Sequence, residues 1–329
     1  MSDSAPRVSI PAEWENHRAI WTAWPSDPLL WQDALNPARA EVAAMVLALA
    51  EGDTVKVLAD GELAAASARA ALGARAEVIE AYFGDIWLRD TGPIFTADRR
   101  ALSFRFNGWG GKYVLDGDVG VADFIAGKAG ALLAPHDFVL EGGAIEMDGQ
   151  GALITTKQCL LNENRNPGWS QRDIEALLKH ALGVTRILWL DQGLENDHTD
   201  GHIDNLVRFV SPGRVVCQSP SPGDPNADLL NNMALDLSAM SDARGRMLKV
   251  ARIPSPGLVE EDGEAVPASH MNFVIGNKTV VVPTYGQYGD AAVQALQPLF
   301  PGRRVVGLPA RAILTGGGAF HCITQQEPA

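Results

Sequence analysis

Residues 204–219 read DNLVRFVSPGRVVCQS, two apolar runs joined by a short polar segment. The runs are rich in β-branched and aromatic residues, which favour strands, and SPGR has the composition of a tight turn. This pattern predicts a β-hairpin. It decides the fold because the same pattern occurs three more times along the chain.

The three other predicted hairpins begin at Gly92, Gly143 and Met271, with ADRR, DGQG and GNK as their turns. A fifth strand pair is predicted between RAIWTAW near the start and AFHCITQ near the end. Helical periodicity predicts five helices, at residues 37–50, 61–72, 170–182, 225–240 and 290–299. A repeated β-rich unit with helices between the copies favours a closed, propeller-like α/β ring over a doubly wound sheet. Because no long linker or low-complexity stretch interrupts the pattern, residues 1–329 are interpreted as a single domain.

Composition restricts the classes of partner. With 27 basic and 40 acidic residues the net charge is −13, so nucleic acid and anionic membranes are not expected partners. An acidic field steers small cations toward a protein, and solubility is the alternative explanation of this charge. Residues 1–10 lack the pattern of a signal peptide, and the apolar segment 42–50 is too short to span a bilayer. The chain has only three cysteines, and an odd number cannot all pair in disulfides, so a disulfide framework is not expected. This favours a reducing compartment and predicts a cytoplasmic location. The sequence leaves the oligomeric state open, including a homo-oligomer.

The stretch YFGDIWLRDTGP, residues 82–93, places Arg89 and Asp90 after the strand-like run IWL and before a turn. Charged residues at such a position are typical of binding sites on ring-shaped folds. The alternative interpretation is a salt-bridged turn in which Asp90 accepts hydrogen bonds from nearby N–H groups.

The stretch ENDHTDGHIDN, residues 195–205, contains two histidines four residues apart, His198 and His202. On a helix this spacing suits metal ligands, but Gly201 and the following LVRFV make a helix a poor interpretation. On a strand, His202 and Asp204 would point to the same side, an arrangement suited to acid/base chemistry. A polar turn before a buried strand is the alternative.

The stretch TGGGAFHCITQQ, residues 315–326, brings three glycines before Cys322. A glycine loop lets the backbone approach a ligand closely, and a cysteine presented at the following strand start could act as a nucleophile with His202 as its base. The alternative is a buried, inert thiol. Cys159 and Cys217 lie in apolar, strand-like runs and are predicted to be structural. Glu141, before Gly142 and Gly143, could orient a histidine or bind a cation.

Six ordered segments together resemble the agmatine deiminase family of the guanidino-group-modifying (pentein) superfamily. They are PAEWENHRAIWTAWP, GDIWLRDTGP, FNGWGGKY, LEGGAIEMDGQG with TTKQCLLNENRNPG, DGHIDNLVRF and GGGAFHCITQQEP. The resemblance implies a five-bladed α/β propeller around a central active site.

Matched residue by residue, the resemblance implies Cys322 as nucleophile, His202 as acid/base and Glu141 as the carboxylate partner of His202. Asp90 and Asp204 would clamp a guanidinium. Trp87 would line the substrate channel, and Gly317 and Gly318 would lie close to the substrate. Trp109 and His198, with Trp24 and Asp27, are candidates for contacting the substrate's tail. No metal or organic cofactor is implied.

The implied reaction is hydrolysis of agmatine to N-carbamoylputrescine and ammonia through a covalent S-alkylthiouronium. His198 departs from the family pattern, where this position is often acidic, so arginine and peptidyl-arginine stay open as substrates. Two other classes stay open as well. One is a metallohydrolase built on His198, Asp200, His202 and Asp204, and the other is a non-catalytic binding protein on the same ring.

Overall fold

The computed structural model describes residues 8–329. Within this range the strands form five sheets of three or four strands and one separate two-stranded ribbon. In each of the five sheets an antiparallel pair is extended by a strand that runs parallel to its neighbour. The crossover to that parallel strand carries helix, so the chain has an α/β fold.

The helices and strands follow one another in five groups. The first group is β1 His17–Ala23, α1 Pro28–Trp31, α2 Leu35–Leu49, β2 Val55–Ala59, α3 Glu62–Leu72 and β3 Glu77–Glu80. The second is α4 Leu88–Thr91, β4 Ile94–Phe95, β5 Arg100–Arg105, α5 Gly108–Gly111, α6 Val121–Ala129 and β6 Leu132–Val139. The third is β7 Glu146–Met147, β8 Ala152–Thr156, α7 Lys157–Leu160, α8 Gln171–Leu182 and β9 Arg186–Leu190.

The fourth group is β10 Val207–Ser211, β11 Arg214–Ser219, α9 Ala227–Ala239 and β12 Lys249–Pro254. The ribbon β13 Glu260–Glu261 and β14 Glu264–Ala265 follows it. The fifth group is β15 Val274–Ile275, β16 Thr279–Thr284, α10 Gly289–Leu296, β17 Arg304–Pro309, α11 Arg311–Leu314 and β18 Thr324–Pro328. Short 3-10 turns lie at Gln32–Ala34, Gly73–Arg75, Asp118–Gly120, Gly142–Ala144, Ile203–Asn205 and Gln297–Leu299.

The four hairpins predicted from the apolar-turn-apolar pattern are confirmed. They are the antiparallel pairs β4–β5, β7–β8, β10–β11 and β15–β16. The central strands β8, β11 and β16 are buried along most of their length, which explains why the sequence shows continuous apolar runs there rather than strict alternation.

The predicted pairing between the two ends of the chain is also confirmed, although the last strand covers Thr324–Pro328 rather than the predicted AFHCITQ. Strand β18 runs antiparallel to β1, with Thr324 opposite Thr22 and Gln326 opposite Ile20. The buried Trp21 ring donates a hydrogen bond through Nε1 to Glu327 Oε2 at 3.0 Å. The last strand is therefore held in the first sheet rather than frayed. His321 and Cys322, which lie just before it, are anchored by this strand.

The five predicted helices are present, with ends within three residues of the predicted ones. Helix α8 shows the physical reason, because Ser170 and Asp173 form a capping box at its start and Gly183 ends it in the left-handed conformation. Helix α6 was not predicted, since Gly127 interrupts its apolar pattern. Within residues 8–329 no helix has the length and apolar character needed to cross a bilayer.

Candidate active site

A cavity of about 420 Å³ lies where the predicted site residues converge. Seven of the ten predicted residues line it: Cys322, Asp90, Trp87, Trp109, His198, Gly317 and Gly318. The other three, His202, Asp204 and Glu141, are fully buried. Trp24 and Asp27, the two further tail candidates, are not part of its lining.

Three of the predicted site residues, Asp90, His202 and Asp204, lie close to Gly143. A β-carbon at this position would lie 2.5 Å from His202 Nδ1, 3.0 Å from Asp90 Oδ1 and 3.2 Å from Asp204 Oδ2. Side chains from two separate stretches of sequence therefore surround one bare backbone position. Any side chain at residue 143 would occupy the space that these three groups share.

Cys322 is held by the segment that carries Asp90. The backbone N–H of Arg89 donates to the Cys322 carbonyl at 3.1 Å. The Arg89 guanidinium donates to the side-chain oxygens of Gln325 and Gln326 on β18, at 2.9 and 2.8 Å. These bonds tie the nucleophile candidate and the carboxylate candidate into one unit.

Asp90 accepts two hydrogen bonds that orient its carboxylate. Oδ1 accepts from the Gly143 backbone N–H at 2.8 Å, and Oδ2 accepts from Trp109 Nε1 at 2.9 Å. Burial raises the pKa of Asp90, an effect that the nearby His202 opposes. Each carboxylate oxygen can accept a further hydrogen bond, so Asp90 remains able to bind a ligand cation.

Asp204 is oriented by the residue that precedes the cysteine. His321 Nδ1 lies 2.7 Å from Asp204 Oδ2, and His321 Nε2 lies 2.9 Å from Glu13 Oε2. Glu13 is in turn paired with the buried Arg208. Burial alone would raise the pKa of Asp204, but the hydrogen bond and charge of His321 outweigh it and lower that pKa. Asp204 Oδ1 has no hydrogen-bond partner within residues 8–329, so this oxygen is available to a ligand.

His202 has two free ring nitrogens in a fully buried position. Neither Nδ1 nor Nε2 has a hydrogen-bond partner in the described part of the chain, and Nδ1 lies 3.8 Å from Asp90 Oδ2. Burial disfavours the protonated ring, yet the Asp90 charge and then the neighbouring Cys159 sulfur raise the pKa of His202 well above its usual value. The neighbouring groups thus favour the protonated form of the imidazole.

Glu141 and Cys159 both lie close to this histidine. Donor atoms of Glu141, Cys159 and His202 all lie within 4.8 Å of one another. Glu141 Oε1 accepts a 2.5 Å bond from Arg165 Nε, while Oε2 has no partner among residues 8–329. The Arg165–Glu141 ion pair is fully buried, and it keeps the Glu141 carboxylate fixed beside the His202 ring.

The Cys322 thiol lies in an acidic, buried setting. Its side chain is 5% exposed, and its sulfur lies 3.7 Å from Asp204 Oδ2. Burial, followed by the charges of Asp204 and Asp90, raises the pKa of Cys322 well above the usual thiol value. A cation that neutralises the two carboxylates would reverse part of this effect and favour the thiolate.

The glycine loop and Trp87 form one wall of the cavity. A β-carbon at Gly318 would lie 2.7 Å from the Trp87 ring and 3.0 Å from Cys322 Sγ, so glycine is required for this close approach. Trp87 Nε1 and Trp31 Nε1 both donate to the Asp85 carboxylate, at 2.7 and 2.9 Å. Asp85 therefore fixes two indole rings whose centroids are 6.3 Å apart.

The opposite wall is built from a left-handed segment of backbone. Trp109 has φ 53° and ψ 50° inside α5, a conformation that is unusual for a residue other than glycine. It directs the indole N–H toward Asp90. At the mouth, Lys112 Nζ donates to the His198 carbonyl at 2.7 Å and to Asp200 Oδ1 at 2.6 Å. Gly317, at φ +103°, approaches the His198 ring.

The residues of the metallohydrolase alternative do not converge. Within residues 8–329 the one group of three His, Cys or acidic residues close enough to share an ion is Glu141, Cys159 and His202. Asp200 is instead bonded to Arg165 and Lys112. The predicted set of His198, Asp200, His202 and Asp204 is therefore not a ligand cluster.

Three local predictions were wrong. His202 and Asp204 do not alternate on a strand, because a 3-10 turn covers Ile203–Asn205 and β10 starts at Val207. Asp90 lies in the short helix α4 rather than at a strand end. The nucleophile candidate precedes β18 in a turn rather than opening it.

The prediction for Cys159 also needs correction. It lies on the short helix α7 instead of a strand, and it faces His202. Cys217 lies on β11 as expected.

Sequence reasoning missed Asn272, His321, Arg165 and Asp85 as parts of the site. Three of them stand inside the quoted motifs HC, NENRNPG and GDIW. Only tertiary contacts reveal their partners, whereas Asn272 in HMN carried no motif at all.

Comparison with known proteins identifies the family of the chain. Residues 9–328 match the family described as Porphyromonas-type peptidyl-arginine deiminase. A curated relative from Stutzerimonas stutzeri (strain A1501), named agmatine deiminase, is 40% identical, with 99% of this chain and 98% of the relative covered. The solved agmatine deiminase of Enterococcus faecalis superposes with a TM-score of 0.93 at 33% identity, covering 100% of this chain and 98% of that one.

A more distant structure shares the fold alone. The DDAH from Pseudomonas aeruginosa, solved in complex with citrulline, superposes with a TM-score of 0.52 at 13% identity. The match covers 94% of this chain and 99% of the other. The α/β architecture described above is thus common to proteins of very different sequence.

Proposed function

We propose that this chain, which belongs to the Porphyromonas-type peptidyl-arginine deiminase family, hydrolyses agmatine to N-carbamoylputrescine and ammonia. One observation carries the proposal: the Cys322 sulfur lines a cavity beside the carboxylates of Asp90 and Asp204. The relatives named agmatine deiminase over nearly the whole chain support the choice of substrate.

Substrate binding uses the two carboxylates. A guanidinium is planar and permanently charged, and its N–H groups match carboxylate oxygens in charge-assisted bonds. Asp204 offers its unpartnered Oδ1, and Asp90 offers the remaining lone pairs of both oxygens. Held between them, the central carbon lies over Cys322 in position for attack.

The first half-reaction forms the covalent intermediate. The Cys322 thiolate donates an electron pair to the guanidinium carbon, which forms a C–S bond and a tetrahedral adduct. Protonated His202 then gives its proton to one amino nitrogen, the C–N bond breaks, and ammonia leaves. The products are an S-alkylthiouronium on Cys322 and a neutral His202.

The second half-reaction regenerates the enzyme. Neutral His202 takes a proton from a water molecule, and the hydroxide oxygen adds to the thiouronium carbon. The C–S bond breaks, the thiolate leaves with its electron pair, and the hydroxyl proton passes to bulk water as the ureido carbonyl forms, which leaves His202 protonated for the next cycle. Glu141 keeps the His202 ring oriented and stabilises its protonated form throughout.

The cavity walls suit a substrate with a second cation. Trp87 and Trp109 present aromatic surface to an alkyl chain and an ammonium group. Gly317 and Gly318 allow the backbone to approach the guanidinium. His198 lies at the tail end, and the net charge of −13 steers a dication toward the protein.

The ring architecture belongs to the same proposal. The five sheets and the β1–β18 pairing support a five-bladed α/β propeller of one domain, with the cavity at its centre. We retain the predictions of a cytoplasmic enzyme that needs no cofactor and binds neither nucleic acid nor membrane. Light scattering of the purified chain would measure the oligomeric state.

The decisive experiment is a substrate panel scored for ammonia release. Agmatine, arginine and an arginyl peptide are each incubated with the wild type and with Cys322→Ala, and the products are identified by mass spectrometry. Release of ammonia from agmatine by the wild type alone supports the proposal. Turnover of arginine or the peptide without agmatine would overturn the choice of substrate.

Parallel controls separate the other classes. Loss of activity with a chelator, restored by added metal, would favour a metallohydrolase over the thiol mechanism. Ligand binding that is unchanged in Cys322→Ala, with no ammonia from any compound, would favour a non-catalytic binding protein.

A further inference from the structure

Asn272 is a buried residue that none of the candidate site motifs described above contains. It lies two residues before β15 and is fully buried. The amide contacts two stretches that meet at the site, residues 203–205 and residues 321–322. A polar side chain in this position must have its hydrogen bonds satisfied by those neighbours.

The contacts determine how the Asn272 amide is oriented. Oδ1 accepts hydrogen bonds from the backbone N–H groups of His321 and Cys322, at 2.9 and 3.1 Å. An amino group could not accept these two bonds, so the oxygen must face the backbone. The nitrogen Nδ2 therefore faces the Cys322 sulfur at 3.1 Å and Asn205 Oδ1 at 2.9 Å.

From this arrangement we infer that Asn272 is a catalytic residue. Its amide donates a hydrogen bond to the sulfur of Cys322 and stabilises the thiolate that attacks the substrate. The inference rests on the proposed role of Cys322 as nucleophile.

The donated bond matters because the rest of the surroundings oppose a negative sulfur. The carboxylates of Asp90 and Asp204 carry the same negative charge as a Cys322 thiolate and therefore disfavour it. The buried Tyr285 hydroxyl also interacts electrostatically with Cys322. Among residues 8–329, Asn272 is the one side chain that donates to the sulfur, and the backbone N–H of Ala319 also faces it. A hydrogen bond to a charged acceptor is about twice as strong as one to a neutral acceptor, so this contact favours the thiolate over the thiol.

The proton balance is simple. When a guanidinium enters between the carboxylates, the S–H bond breaks and its proton passes to bulk water through the cavity. One positive charge replaces another, so the net charge of the site is unchanged. The sulfur keeps the electron pair, which then forms the C–S bond.

The test measures the ionisation of Cys322 without any substrate. Wild type, Asn272→Asp and Asn272→Ala are alkylated with iodoacetamide across a pH series, and mass spectrometry follows Cys322 with Cys159 and Cys217 as internal references. Aspartate keeps an acceptor for the two backbone N–H groups but removes the donor, whereas alanine removes the donor without adding charge. The matched control is Asn232→Asp, an exposed position on α9.

We expect the alkylation profile of Cys322 to move to higher pH by one unit or more in both Asn272 variants. At a fixed pH below the inflection this is a tenfold or greater loss of rate. Asn232→Asp should follow the wild type. If both Asn272 variants titrate like the wild type, Asn272 only supports the fold and the inference is overturned.

A second measurement needs no variant and covers the case in which Asn272 variants fail to fold. In the wild-type chain labelled with 15N-asparagine, the Nδ2 resonances of Asn272 should shift when Cys322 is deprotonated or alkylated. Unchanged resonances would refute the hydrogen bond. Because neither readout uses agmatine, failure of agmatine turnover would overturn the proposed substrate and leave this result standing.

Discussion

His321 Nδ1 lies 2.7 Å from Asp204 Oδ2, so the residue next to the proposed nucleophile orients one of the two carboxylates near the Cys322 sulfur. Its other ring nitrogen is bonded to Glu13. The motif HC therefore places the proposed nucleophile directly beside a support for Asp204. Both residues of the motif contact the same carboxylate oxygen, Asp204 Oδ2.

Replacing His321 with glutamine should weaken substrate binding. The variant loses the hydrogen bond from a charged imidazole to Asp204. It also removes a positive charge that compensates the buried carboxylates of Asp204 and Glu13. A loss of one to two powers of ten in kcat/KM is expected, from about 1.5–3 kcal/mol for such a bond. Steady-state kinetics with agmatine would measure it. His180→Gln, an exposed position on α8, is the control, and an unchanged KM in His321→Gln would contradict the role.

The free enzyme should react slowly with neutral alkylating agents at pH 7. Burial and two carboxylates raise the pKa of Cys322 well above its usual value, so little thiolate exists at neutral pH and the alkylation rate rises as pH increases. Iodoacetamide labelling of Cys322 from pH 6 to 10 measures this. A cationic reagent such as chloroacetamidine should react faster at pH 7, because its charge offsets both carboxylates. An inflection at or below the usual thiol value of about 8.5 would argue against this account.

Breaking the buried Arg165–Glu141 pair should be costly for stability. Arg165→Met leaves the Glu141 carboxylate buried without its partner, and a decrease of about 3–5 kcal/mol in unfolding free energy is expected. Urea denaturation would measure this. The double variant Arg165→Met with Glu141→Gln should recover part of the loss, because it removes the unpaired charge. Additive losses in the double variant would show that the two residues do not interact.

The tail end of the cavity offers a specificity test. His198 lines the cavity and is solvent-exposed, so a carboxylate there would lie near the distal ammonium of agmatine. His198→Glu should raise the preference for agmatine over butylguanidine about threefold or more, the effect of a partly exposed ion pair. The ratio of kcat/KM values for the two compounds is the measurement. The control His180→Glu changes the net charge by the same amount. If it raised the ratio of kcat/KM values as much as His198→Glu, the effect would be general electrostatic steering and not a contact in the cavity.

Local patterns predicted the repeated elements correctly. The four hairpins and five helices depend on turn chemistry, apolar runs and capping residues that lie within a few positions of one another. Helix α6 escaped because Gly127 interrupts its pattern. The 3-10 turn at Ile203–Asn205 escaped because a one-turn deviation before a strand leaves no periodicity to detect.

By itself, the sequence determined the four hairpins, five of the helices and the pairing of the chain ends, and it suggested the candidate site residues, since these follow from local patterns and motif resemblance. Tertiary structure alone decided that Asn272 donates to Cys322, that His321 holds Asp204 and that Cys159 faces His202. Each of these contacts joins residues at least 43 positions apart in the chain. Their partners are chosen by how separate sheets pack around the cavity, and no local periodicity carries that information.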